Sequence, residues 1–234
     1  MHLNDDLGAP TLIHAARMDW APSPASGVER RMLFRVGAEK ARATSIVRYA
    51  PGSHFARHDH PGGEEFIVLE GTFQDETGDF APGTYVRNPP GTAHAPGSRD
   101  GCVIFVKLWQ FRSDDRARVI RRPGEGRAAA TALPPGVASS SLLFAGMDER
   151  VMVEQWRDGT EVTLANPDGL ELLVLDGSCT HGTACLDRWS WLRLPAGPPV
   201  HLRAGPDGTR VWYKLAPLLH ATVCPMNTLA QSRA

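Results

Sequence analysis

The chain has 234 residues, enough for two small domains with a core each, and its 42% hydrophobic and 22% charged residues are those of an ordinary globular protein. A formal net charge of −1 gives no electrostatic reason to bind nucleic acid or an anionic membrane, so a small molecule is the expected partner, with room for a homodimer. No stretch approaches the roughly 18 consecutive apolar residues of a membrane span, and the opening MHLNDDLGAP lacks both the basic start and the apolar core of a secretion signal, which makes a cytoplasmic location the expectation.

In chain order, residues 1–27 carry Pro10, Pro22, Pro24 and Gly27 without sustained periodicity and read as an arm that packs on a domain. From about Met32 the pattern changes. Short runs rich in valine, isoleucine, phenylalanine and tyrosine (Thr44 to Tyr49, Glu65 to Leu69, Gly83 to Arg87, Val103 to Trp109) are bounded by Pro-Gly turns. Closely spaced short strands of this kind predict a β-sandwich or barrel over 28–112. Residues 113–140, in a segment rich in Arg, Ala, Pro, Gly and Ser, read as a linker, its arginines as a solvated face. A second domain is expected over 141–222, followed by a tail over 223–234.

The second domain repeats the first. Phe66 to Gly71 (FIVLEG) returns as Leu172 to Gly177 (LLVLDG), and at the same offset of 106 Tyr85, Arg87, Pro89 and Gly91 match Trp191, Arg193, Pro195 and Gly197. After one inserted residue, Gly101, Lys107 and Leu108 match Gly208, Lys214 and Leu215. Matches that fall on turn residues and on strand positions in one register indicate duplication of a β-barrel, a pseudo-symmetric pair.

Two segments carry chemistry: Gly52-SHFAR-His58-Asp59-His60-Pro61-Gly62-Gly63-Glu64-EFIVLE-Gly71 and Gly83-TYVRN-Pro89-Pro90-Gly91-Thr92-Ala93-His94. Strand alternation turns His58 and His60 to one face. Glu64 follows a tight Pro-Gly-Gly turn that folds the next strand back, and His94 follows a second glycine turn. Three nitrogens and a carboxylate oxygen then face one point, which suits one divalent metal ion per chain; Fe(II) or Zn comes first, Mn or Ni behind.

These segments resemble the two cupin motifs, Gly-x5-His-x-His-x3-Glu-x6-Gly and Gly-x5-Pro-x-Gly-x2-His, at every defined position, with Ser98 replacing the closing Asn. The stretch from Tyr49 to Trp109 is similar to the cupin of ChrR-type anti-sigma factors and to related diketone and hydroxyacetophenone dioxygenases. The resemblance implies an all-β bicupin, two tandem jelly-roll barrels, with His58, His60, Glu64 and His94 as metal ligands. The six-residue gap to Gly71 favours Glu64 over Glu65, which alternation turns to the opposite face. His54 shares parity with His58 and is a weaker candidate for the pocket mouth.

Carried to the second barrel, the ligand positions fall on Leu164, Asn166, Leu170 and His201, a set that holds no metal. His181 lies on another turn, and Trp189, Trp191 and Trp212 read as core and interdomain packing. The four cysteines, Cys102, Cys179, Cys185 and Cys224, form no Cys-x-x-Cys pair and read as idle thiols. The resemblance leaves two functional classes. One is a dioxygenase-like or other cupin enzyme acting on a small oxygenated metabolite; the other is a ChrR-like regulator or a structural metal site. The sigma-binding zinc module of ChrR-type proteins needs paired cysteines, and no cysteine precedes Cys102, which favours the enzyme.

Overall fold

In the computed structural model, which describes residues 1–38, 40–126, 128 and 133–226, the chain is two tandem β-barrels. Twenty-two strands and one 3-10 turn, Ala15–Arg17, are present among the described residues, and no α-helix. The main wall of the first barrel sets Val28–Gly37, Ala41–Tyr49, Cys102–Leu108, Glu64–Gly71 and Tyr85–Asn88 side by side. Opposite stand a small sheet containing Phe73–Asp75 and the two-stranded pair His58–His60 with Thr92–His94. The second barrel is built on Val137–Ala145, Arg150–Trp156, Val200–Leu215, Gly169–His181 and Ser190–Pro195.

The repeat seen in the sequence is a repeat of strand register. Glu65 lies opposite Lys107, and its counterpart Glu171 lies opposite Lys214. Gly71 and Gly177 take φ values of +65° and +71°, and a Cβ on either would stand 2.1 or 2.2 Å from the carbonyl of Gly101 or Gly208. Only glycine allows the neighbouring backbone this close at positive φ, which is why both halves retain it.

Each half also lends a strand to the other. Thr11–His14 pairs with Ser190–Pro195 of the second barrel, placing Thr11 opposite Arg193. Reciprocally, Val119–Arg121, inside the segment expected as a linker, pairs with Tyr85–Asn88 of the first barrel and sets Val119 opposite Arg87. Both segments cover a sheet edge that would otherwise expose unpaired backbone groups. Their short length and lack of alternation hid them in the sequence.

Alternation divides the first barrel's main wall into two apolar faces. Phe66, Val68, Ile104 and Val106 belong to the core inside the barrel. Their neighbours Ile67, Val103 and Phe105 turn outward and pack with Leu173, Trp191 and Trp212 of the second barrel. Phe105 and Trp212 meet at 5.1 Å between ring centroids. The tryptophans thus serve the interdomain core, as their sequence context implied.

Candidate metal centre

The histidine ribbon places Thr92 opposite His60 and His94 opposite His58. The ring centroids lie 5.1 Å (His58 to His60), 5.2 Å (His58 to His94) and 4.6 Å (His60 to His94) apart. One nitrogen from each of the three lies within 4.8 Å of the others. His60 and His94 are buried, and His58 stands nearest the opening. Glu64 enters from the first residue of strand Glu64–Gly71, where its Oε2 lies 3.6 Å from His60 Nε2 and 3.4 Å from His94 Nε2. The spacing in the sequence therefore brings all four expected residues together.

Each outer ring nitrogen is held by an oxygen that can only accept. His94 Nδ1 lies 3.2 Å from Asp75 Oδ2, and His58 Nδ1 lies 3.0 Å from the Ala56 carbonyl. His60 Nδ1 lies 3.2 Å from Thr92 Oγ1, whose own proton goes to the Pro89 carbonyl at 2.8 Å. These acceptors favour a proton on each Nδ1, and they leave the Nε2 atoms of His60 and His94 facing the Glu64 carboxylate. The Nε2 atoms of His60 and His94 are buried without a hydrogen-bond partner. Orphaned acceptors beside a carboxylate are what a bound cation satisfies, so the residues fit a divalent metal.

Electrostatics follow from the same contacts. Burial pushes the His60 pKa down, against a partial opposing pull from Glu64. Burial acts the same way on His94, but its hydrogen bond to Asp75 and the Glu64 charge outweigh it, and the pKa is raised. Burial would raise Asp75, yet its hydrogen bonds from His94 and Thr77 hold it below the usual carboxylate range.

The turn between the histidines and Glu64 is shaped by Trp109. A Cβ on Gly62 would fall 2.1 Å from the Trp109 ring. Trp109 itself takes φ +60°, a conformation bulky residues seldom adopt, while its backbone N–H donates to the Gly63 carbonyl at 2.9 Å. In front of the ligands opens a cavity of about 560 Å³ between Val28, Val47, Tyr49, Ile104, Val106 and Trp109.

Other candidates fall elsewhere. Glu65 is buried on the far side of the wall, where it accepts from Tyr85 Oη at 2.6 Å and from Lys214 Nζ at 2.6 Å. His54 pairs with Gly97 at the edge of a separate shallow groove. In the second barrel Leu164 and Leu170 are part of a filled apolar core, Asn166 Nδ2 donates to the Pro195 carbonyl, and exposed His201 meets Thr163. His181 bonds to the His201 carbonyl. Cys102, Cys179 and Cys224 are buried and Cys185 is exposed, all as free thiols. Sequence reasoning missed Asp75, Thr92 and Tyr49. Thr92 was within reach, because it shares strand parity with His94; Asp75 stands on a separate hairpin and gives no local signal.

Two antiparallel barrels in tandem, with three histidines gathered inside the first, define the bicupin architecture. Residues 9–112, a little under half of the chain, match the family of ChrR cupin-like domains, to which this stretch is similar. Among solved structures the chain is similar to a putative dioxygenase from Nostoc punctiforme, at 14% identity and a TM-score of 0.67 over 92% of this chain and 86% of that one. It is also similar to the bacterial pirin YhhW from Escherichia coli in complex with nickel(II), at 16% identity and a TM-score of 0.64 over 89% and 100%. Quercetin 2,3-dioxygenase from Acinetobacter baumannii matches at 12% identity and 0.55 over 86% and 85%. At these identities the likeness is one of fold alone. No curated protein matches the chain. No helix is long and apolar enough to cross a membrane among the described residues.

Proposed function

We propose that the first barrel binds one divalent metal ion through His58, His60, Glu64 and His94, and that the chain is a metal-dependent, dioxygenase-like enzyme acting on a small oxygenated metabolite. The observation that carries this reading is the convergence of three imidazoles, two of them with buried and unpartnered Nε2 atoms, and the Glu64 carboxylate at the wall of an open cavity. Fe(II), first in preference with Zn, would supply Lewis acidity and oxygen chemistry at this point.

The chain's own residues do the rest. Asp75, Thr92 and the Ala56 carbonyl keep the imidazoles in the ligating tautomer. The mostly apolar walls lower the local dielectric, which strengthens polar contacts to a substrate. A purely structural ion sits in a closed ligand shell, whereas here the cavity reaches His58, His60 and Glu64. The test is metal analysis of protein purified without affinity resin, followed by oxygen uptake with diketones and hydroxyketones. One tight equivalent and substrate-dependent uptake are expected; two equivalents, or no uptake and no ligand-induced spectral change, would overturn the reading.

A further inference from the structure

The proposed enzyme still needs something to orient its substrate. The cavity in front of the histidines is mostly apolar, but cations also line it: Arg30, Arg35, Lys40 and Arg57, against Asp59 and Glu64 as the acids. Glu64 is assigned to the metal and Arg57 is paired with Glu76, which leaves Arg30 and Lys40 facing the single acid Asp59 even with Arg35 set aside. Among these cations Arg30 is distinctive. It stands on strand Val28–Gly37 opposite Val47, its Nε is buried without a hydrogen-bond partner, and it makes no ion pair among the described residues.

Tyr49 is the second unused polar group. It stands opposite Val28 in the same register, so Arg30 and Tyr49 are diagonal neighbours on one face of adjacent strands, about 7–8 Å apart at their Cα atoms. Both line the cavity. The Tyr49 ring is clamped edge-on by Phe55 at 5.7 Å and by Phe73 at 5.8 Å, and its hydroxyl makes no hydrogen bond among the described residues. Burial and then the charge of nearby Glu64 raise its pKa well above that of a free phenol, so the hydroxyl stays a donor. Tyr49 and Arg30 therefore stand side by side on a wall of the same cavity that His58, His60 and Glu64 line.

We propose that Tyr49 and Arg30 are substrate-positioning residues, and that the substrate is an anionic carbonyl compound whose carboxylate pairs with Arg30 while one of its oxygens accepts from the Tyr49 hydroxyl. This inference rests on the reading of the first barrel as a small-molecule metal site. It adds the charge of the substrate and the end of the cavity that reads it.

The probes are 2,4-dioxopentanoate and 2,4-pentanedione, which share a chelating dicarbonyl and differ by one carboxylate. Each is titrated anaerobically into the Co(II)-loaded full chain while the visible absorption of the metal is followed. The anion is expected to bind about tenfold or more tighter, as a charge-assisted hydrogen bond gives. Arg30→Gln is expected to abolish that preference at unchanged metal content, and Lys40→Gln to retain it. Tyr49→Phe keeps the ring packing and is expected to weaken both probes about threefold to tenfold. Equal binding of the two probes to the natural protein, or a preference that survives Arg30→Gln, would overturn this inference and leave the metal-site reading standing. No spectral change with either probe would overturn that reading, and this inference with it.

Discussion

A histidine ligates through whichever nitrogen its surroundings leave bare. Here the acceptor beside each Nδ1 makes that choice, and the strongest acceptor is the Asp75 carboxylate on His94. Asp75→Asn is expected to weaken metal binding about 10-fold to 100-fold while leaving the fold intact, as competition against a chromophoric chelator would measure. His60→Ala and His94→Ala each remove a ligand and are expected to abolish tight binding. His201→Ala, on the exposed face of the second barrel, is expected to leave metal content unchanged. Equal metal loss in that variant would mean the site is misassigned.

The repeated strands carry their own charge exchange. Lys107 and Glu65 face each other in one barrel, Lys214 and Glu171 in the other, yet each lysine pairs across the interface with the other half's glutamate. Arg87 crosses similarly, pairing with Glu149 and stacking 3.9 Å from the Phe144 ring. Buried pairs of this kind cost desolvation on formation and leave a stranded charge when one partner is removed. Lys107→Met alone is therefore expected to destabilise the chain by about 3–5 kcal/mol, and Lys107→Met combined with Glu171→Leu by much less. Urea unfolding of the two variants distinguishes these outcomes.

At the scale of the whole molecule, the reciprocal strands and the shared core make each barrel part of the other's support. One cooperative thermal transition is expected, with calorimetric and van't Hoff enthalpies equal; two separated transitions would contradict it. Acid is expected to act at this seam. Burial would raise the Glu149 pKa, but Lys214, His220 and Arg87 outweigh it and hold Glu149 far below the carboxylate range. Glu65 is lowered too, chiefly by Lys214 against its own burial. A depressed folded pKa contributes stability that is present above the unfolded value, about 4.3 for Glu, and is lost as pH falls below it. The contribution of these two carboxylates to the melting temperature should hold down to about pH 5 and be lost progressively below it.

The sequence by itself carried the all-β class, the duplication and the gathering of His58, His60, Glu64 and His94. All of these rest on local rules: period-two alternation, turn glycines, and ligand spacing along adjacent strands. The same rules turned Glu65 away from the histidines, although they could not say toward what. Tertiary structure alone decided the rest. It paired Glu65 with Lys214, brought Asp75 to His94 from another hairpin, and laid Thr11–His14 on the second barrel. It also aligned Tyr49 and Arg30 along the cavity wall. The physical reason is reach: alternation fixes which way a side chain points, but its partner across a barrel is chosen by strand order and by the packing of one half on the other.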